Sequence, residues 1–271
     1  MSEYNSSSSS KNIPTPLIST SVPIVPIPPA NATPNLGKEK TDIKKESSSY
    51  YIKSSFMITY ILLLTTATIT FIEAMRTQYP NIRHVLNLET CISIVAGYFY
   101  SVFLAQIDSF EKDNTPIDWA QLTKTRYIDW SITTPMMLLV LCIVLSMNLN
   151  KKIKINTILS VILLNFFMLL IGYLGEIAVL GRTFATIAGF IPFFAMFYII
   201  YLNFIKPKYV FFNYFFFGFY LVIWSLYGLV YLAPDNYKNI CMNILDCISK
   251  CLIGLGLWVY YSNTISGTKV P

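Results

Sequence analysis

The chain has 271 residues, 54% hydrophobic and 13% charged, with a formal net charge of +6. A soluble domain carries about 25% charged residues, so this composition excludes an ordinary soluble fold and points to a membrane protein. The basic residues are scattered or sit between apolar runs, where a bilayer protein places them, and they do not form a nucleic-acid surface.

Residues 1–53 form a unit of their own, rich in Ser, Pro and Lys, as in SSSSS and GKEKTDIKKESSS. Such a segment buries too little apolar surface to offset its ordering entropy and is expected to be disordered. From Ser54 onward come seven apolar segments of about 20 residues, the length that crosses a bilayer. They are 54–75, 87–107, 124–147, 154–175, 184–205, 210–233 and 240–262. The expected architecture is all-α: a seven-transmembrane-helix bundle over 54–262, then a short cytoplasmic C-terminal tail, 263–271.

The loops after the first, third and fifth spans carry Arg76 and Arg83, then Lys151, Lys152 and Lys154, then Lys206 and Lys208. The loop after the second carries Asp108, Glu111, Asp113 and Asp118. Basic loops face the cytoplasm, so the N-terminus is expected outside and the C-terminus inside. An integral, multi-pass protein of the plasma membrane or a host cell membrane follows. The five cysteines all lie in apolar segments and are read as packing residues rather than a disulfide framework. Nothing points to a metal.

An ionisable residue within a span costs roughly 2.5–3.5 kcal/mol by insertion scales, so each one is a candidate functional group. RYIDWSITTPMM in the third span holds Arg126, Asp129 and Thr133 at spacings of three and four, on one helix face. Arg126 taken alone reads equally as a residue snorkelling to the interface. In the seventh span, DCISK places Asp246 and Lys250 four apart. Lys250 lies near mid-span, and reads either as half of an ion pair or as an amine for covalent attachment of an aldehyde. Two carboxylates and an arginine around one buried lysine make a charge-compensated cluster. WSLYGLVYL in the sixth span sets Trp224, Tyr227 and Tyr231 in a stripe, which reads as core packing or as a pocket wall.

RYIDWSITTP in the third span, combined with DxxxK in the last, closely resembles the microbial (type 1) rhodopsins, including proton-pumping and giant-virus members. The resemblance covers about residues 54–262. It implies that Lys250 binds all-trans retinal as a protonated Schiff base. By the same resemblance Asp129 is the counterion and proton acceptor, Asp246 the second counterion, and Arg126 the arginine of the outward half-channel. Trp130, Thr134 and Met137 match retinal-facing positions of the third helix, and Met168 and Gly172 match those of the fourth. Phe193 and Met196 stand on the fifth, Trp224, Tyr227 and Tyr231 on the sixth, and Tyr100 on the second near the counterions. The sequence departs from the pattern at Tyr231 and Gly189, where many members have tryptophan, and at Gly228, where many have proline.

The resemblance further implies light-driven outward proton pumping, with protons and lipid as partners and a homo-oligomer, trimer or pentamer. The usual cytoplasmic donor carboxylate is replaced by Val140. Glu89, in LETCISIVAGYFY, is the candidate donor; the other reading is a solvated glutamate favoured by the helix N-terminus. The alternatives are a light-gated cation channel and a photosensory receptor without net transport. A seven-helix receptor or transporter that does not respond to light requires both motifs to be coincidental.

Overall fold

The computed structural model describes the backbone of residues 36–262 and the side chains of residues 50–262. Two compact units are distinguished, Met1–Asp42 and Ile43–Pro271, and the account below concerns the second. Its regular structure among the described residues is wholly helical. Seven helices are long and apolar enough to cross a membrane. They are α1 (Leu36–Arg76, with its membrane-length part Tyr50–Arg76), α2 (Pro80–Lys112), α3 (Trp119–Asn148), α4 (Ile155–Glu176), α5 (Arg182–Ile205), α6 (Phe211–Val230) and α7 (Asp235–Tyr261).

All seven expected spans are present, with shifted ends. The tail read as disordered through residue 53 gives way to helix at Leu36. Lysine and glutamate are good helix formers, and extending a formed helix costs far less than nucleating one. Residues 1–35 and the expected C-terminal tail 263–271 lie outside the described residues. α2 begins at Pro80 rather than 87, because proline suits a first helical turn that lacks N–H partners anyway. α3 starts where Asp118 Oδ1 accepts the backbone N–H groups of Ala120 and Gln121.

α3 and α7 are the most buried of the seven, and α4 is the least. That ordering follows from sequence: α3 and α7 carry the ionisable groups that lipid would not tolerate. The outer faces are paved with Ile58, Ile61, Phe166, Leu170, Ile187, Phe194 and Val222, all exposed and suited to acyl chains. Pro135 within α3 and Pro192 within α5 each remove one backbone donor, which a packed membrane bundle accommodates. Lys151 Nζ donates to Asn203 O at 2.8 Å, so at one end of the bundle the basic loop after α3 meets the last turn of α5, which the basic loop at Lys206 and Lys208 follows. We call this the lysine-rich end.

Two helices depart from α geometry. α5 ends in a π-wound turn, Tyr201–Ile205, and α7 contains another, Cys247–Leu252, which carries Lys250. Such insertions are frequent at functional sites, and neither is legible in the residue pattern.

Candidate functional site

Lys250 is buried near the middle of the bundle. Its Nζ lies 2.9 Å from Asp129 Oδ2 and 3.3 Å from Asp246 Oδ2, the geometry of a free ammonium between two carboxylates. Arg126 Nη1 stands 3.7 Å from Asp246 Oδ2. Two cations and two anions are thus enclosed together, each fully buried; an unpaired member would be strongly destabilising.

The two carboxylates differ in surroundings. Asp246 accepts from Tyr100 Oη at Oδ2 (2.8 Å) and from Tyr227 Oη at Oδ1 (2.6 Å). Asp129 Oδ1 has no partner among the described residues. Thr133, one turn further along α3, donates to the Asp129 backbone carbonyl at 2.9 Å. Arg126 is held from three sides. Its Nη2 donates to Asn243 Oδ1 (2.9 Å) and Asn239 Oδ1 (3.2 Å), while its guanidinium lies 5.4 Å from the Phe56 ring centre and 5.0 Å from that of Phe103.

A cavity opens from Lys250 and Asp246 toward α4 and α5. It holds about 830 Å³ of atom-free space, counting the solvent at its open mouth. Its walls include Trp130, Thr134, Met137, Met168, Gly172, Phe193, Trp224, Tyr227 and Tyr231, nine of the positions expected around a chromophore. Met196 and Tyr100 are not among the lining residues. Met196 is buried in the apolar core beside Phe193 and Phe197, and Tyr100 turns toward Asp246. The departures from the family pattern have a steric account. A Cβ on Gly228 would come within 2.6 Å of the Phe190 ring, so that aromatic takes the space a larger residue would need. A Cβ on Gly172 would come within 2.7 Å of Tyr127 Oη. Gly189 lines the cavity and leaves room there: a Cβ would meet nothing closer than 3.9 Å. Tyr231 Oη donates to Gly172 O at 2.9 Å, pinning the end of α6 to α4.

The cavity is an aromatic-walled space with a primary amine in its lining and carboxylates beside that amine. It fits an elongated apolar aldehyde joined to Nζ. That fit rests on the lining and on the buried amine.

Glu89 stands apart, on the lysine-rich side. It lies nine residues inside α2 and is 1% exposed, so the reading of a solvated glutamate at a helix start is corrected. Its Oε1 has no partner among the described residues, and its Oε2 lies 3.2 Å from where a Cβ on Gly254 would sit. Gly254 follows Lys250 by one turn of α7. Val140 is fully buried among apolar side chains.

Several site residues escaped the reading of the sequence. Asn239 and Asn243 extend the line Asp246–Lys250 outward at spacings of four and three, a polar stripe in α7 that was legible. Asn243 also donates from Nδ2 to Ser55 Oγ at 2.9 Å and accepts from Tyr100 Oη at 3.0 Å. Ser249, 2.9 Å from Tyr227 Oη, and Asn165, which donates to Thr134 Oγ1 at 2.8 Å, gave no signal beyond their polarity.

A family profile described as "Bacteriorhodopsin-like protein" matches residues 51–264. Among solved structures, the viral rhodopsin OLPVRII is 39% identical, with a TM-score of 0.73 over 79% of this chain and 99% of that one. The proton pumping rhodopsin AR2 from the marine alga Acetabularia acetabulum is 22% identical, with a TM-score of 0.63 over 79% and 95% of the two chains. Xanthorhodopsin, described as a light-driven ion pump with dual chromophore, is 16% identical, with a TM-score of 0.64 over 78% and 92%. The last two likenesses concern the fold alone. No curated protein matches the sequence. With the profile spanning nearly the whole described bundle and a viral rhodopsin well above a third identical, this chain belongs to the bacteriorhodopsin-like family of microbial rhodopsins.

Proposed function

We propose that the protein is a light-driven outward proton pump. The family binds a retinal chromophore, and this chain has the residues for it: the Lys250 amine for covalent attachment, and an aromatic and methionine-lined cavity running from it. When bound, all-trans retinal supplies absorption of visible light and a change of shape that alters the proton affinity of the attached nitrogen.

The chain's own groups do the rest. Asp129 Oδ2, 2.9 Å from Nζ, takes the proton. The observation that carries this reading is the asymmetry of the two carboxylates. A proton on Asp246 would displace a tyrosine hydroxyl, whereas Asp129 keeps one oxygen free of any donor. Asp246 remains the second counterion. Arg126, tethered by Asn239 and Asn243, stands outward of the pair and carries positive charge along the exit side. Glu89, enclosed on the lysine-rich side, returns a proton to the nitrogen. By the basic-loop rule that side is cytoplasmic, so the N-terminus is outside and transport is outward.

The test is light-induced current in a voltage-clamped cell supplied with all-trans retinal, measured across voltages. Outward current at every voltage supports the pump, and Glu89→Gln then slows the return of the deprotonated pigment by about 100-fold or more. A second reading, a light-gated cation channel, is favoured by one observation. Ser55, Thr59, Thr66 and Thr70 line one face of α1; Thr59, Thr66 and Thr70 are fully buried, and Ser55 and Thr59 reach α7 through Asn243 and Cys247. Current that reverses sign near a cation equilibrium potential would establish that reading and sink the pump. A visible absorption band with no current would mean a photosensor.

A further inference from the structure

The inner half of the bundle has an uneven distribution of polar groups. Between α3, α5 and α6 it is filled by Val140, Val144, Ile200, Phe204 and Phe216, all buried and apolar. Between α1, α2 and α7 buried polar groups stand among apolar ones such as Ala74, Val85 and Leu86. Thr66 and Thr70 on α1 and Glu89 on α2 all come within 4 Å of a single point, where a Cβ on Gly254 would sit. Thr70 Oγ1 and Thr90 Oγ1 are 2.8 Å apart, and either can donate. Each also has a backbone carbonyl of its own helix within reach, at 2.9 Å from Thr66 O and from Leu86 O. Ser93, one turn beyond Glu89 along α2, is fully buried with no partner for its hydroxyl among the described residues. Glu73 follows Thr66 by seven residues and Thr70 by three, so it continues the same face of α1 about 4.5 Å further along the axis. Its side chain is 14% exposed and pairs loosely with Arg76 at 3.8 Å, at the lysine-rich end.

We propose that Glu73 and the Thr70–Thr90 hydroxyl pair form the route by which Glu89 regains its proton from the aqueous side, so that uptake runs between α1 and α2. This rests on the pump reading and on Glu89 as donor. On the α3–α6 side the buried Tyr220 hydroxyl has no partner among the described residues and is flanked by the Phe216 and Trp224 rings, whereas on the α1–α2 seam Thr70 and Thr90 are in hydrogen-bond contact and Glu73 continues the face toward the surface. The step balances simply. Glu89 gives its proton toward the Lys250 nitrogen, past Ser93, and becomes a carboxylate. A proton from water protonates Glu73. Thr70 accepts one proton and gives its own to Thr90, which does the same toward Glu89. Each hydroxyl ends as it began, and Glu73 returns to its carboxylate.

The experiment is flash photolysis of the retinal-loaded full chain with a pH-indicator dye in weakly buffered solution. It follows two quantities separately: decay of the deprotonated pigment, and proton uptake from the medium. Glu73→Gln and the pair Thr70→Val with Thr90→Val are expected to slow uptake by about tenfold or more while leaving the first decay step at its native rate. The Thr70→Ser single variant, which keeps the hydroxyl, retains native uptake. An unshifted visible band at native yield certifies that each variant is folded. Native uptake rates in both Glu73→Gln and the double valine variant would overturn the route. Slow uptake in both the double valine variant and the Thr70→Ser single variant would also overturn it, as a packing effect. If instead Glu89→Gln leaves the decay unchanged, the donor assignment itself fails, and that outcome is distinguishable because it appears in the other quantity.

Discussion

Tyr100 and Tyr227 both direct their hydroxyls at Asp246, while among the described residues Asp129 hydrogen-bonds only to the Lys250 ammonium and within its own helix. At the scale of the residue this difference is what the proposed function rests on in making Asp129 the carboxylate that takes the proton. Asp129→Asn is therefore expected to abolish formation of the deprotonated pigment, with a loss of about 100-fold or more in its yield after a flash, while a visible band persists. Time-resolved absorption checks it, and an unimpaired deprotonated state would mean that Asp246 accepts. Asn243 is the second informative residue, because one amide oxygen serves both Arg126 and Tyr100. Asn243→Leu removes that shared acceptor and leaves Arg126 to Asn239 and Tyr100 to Asp246, at a cost of about 0.5–1.5 kcal/mol for the lost hydrogen bonding. Thermal bleaching in detergent should show the lower stability. An unchanged midpoint would show that Arg126 finds other support. The residues were readable as types, since RYID and DxxxK announce a buried charge cluster. Their mutual arrangement was not, because it depends on which hydroxyls from α2 and α6 arrive at which oxygen.

Glycine positions show how closely the helices approach. A Cβ on Gly175 would fall 2.5 Å from the Ala185 Cβ and against Tyr231 Oη, at the crossing of α4 and α5 with the end of α6. Gly175→Ala is expected to destabilise the bundle by about 1–3 kcal/mol through overpacking. Gly254→Ala meets Thr66 Cγ2 at 2.8 Å and Glu89 Oε2 at 3.2 Å, so it should also slow reprotonation by displacing the carboxylate. Gly256→Ala, with open space around it, is the control, and equal effects at all three positions would refute the steric account. The spans themselves were legible, because apolar length is a property of sequence. The early start of α2, and with it the burial of Glu89, was not. Polar residues such as Asn81, Arg83 and His84 look like loop until the first turns of the helix extend beyond the apolar core. The π-wound turn around Lys250 likewise left no trace in residue spacing.

At the scale of the whole bundle, the end opposite the lysine-rich end carries a charge network in which the Lys238 and Glu176 side chains are buried and those of Arg182 and Asp235 are partly exposed. Lys238 Nζ contacts both oxygens of Glu176 at 3.0 Å and Asp235 Oδ1 at 2.8 Å, and Arg182 Nη2 reaches Glu176 at 3.2 Å. These residues come from α4, α5 and α7, so the network ties three helices beside the cavity. Lys238→Met leaves the buried Glu176 carboxylate to the partly exposed Arg182 alone and is expected to cost about 1–3 kcal/mol; adding Glu176→Gln should recover part of that loss. Differential scanning of the pigment in detergent measures both, and purely additive losses would deny the pairing. The sequence alone determined the membrane class, the seven spans and the cluster of Arg126, Asp129, Asp246 and Lys250, because hydrocarbon tolerates few charges and makes each one conspicuous. Tertiary structure alone decided that Met196 packs in the core rather than in the cavity, that Phe190 occupies the space Gly228 leaves, and that polar groups gather between α1 and α2. Those outcomes depend on helix rotation and on the distance between helices, which the periodicity of a single helix does not encode.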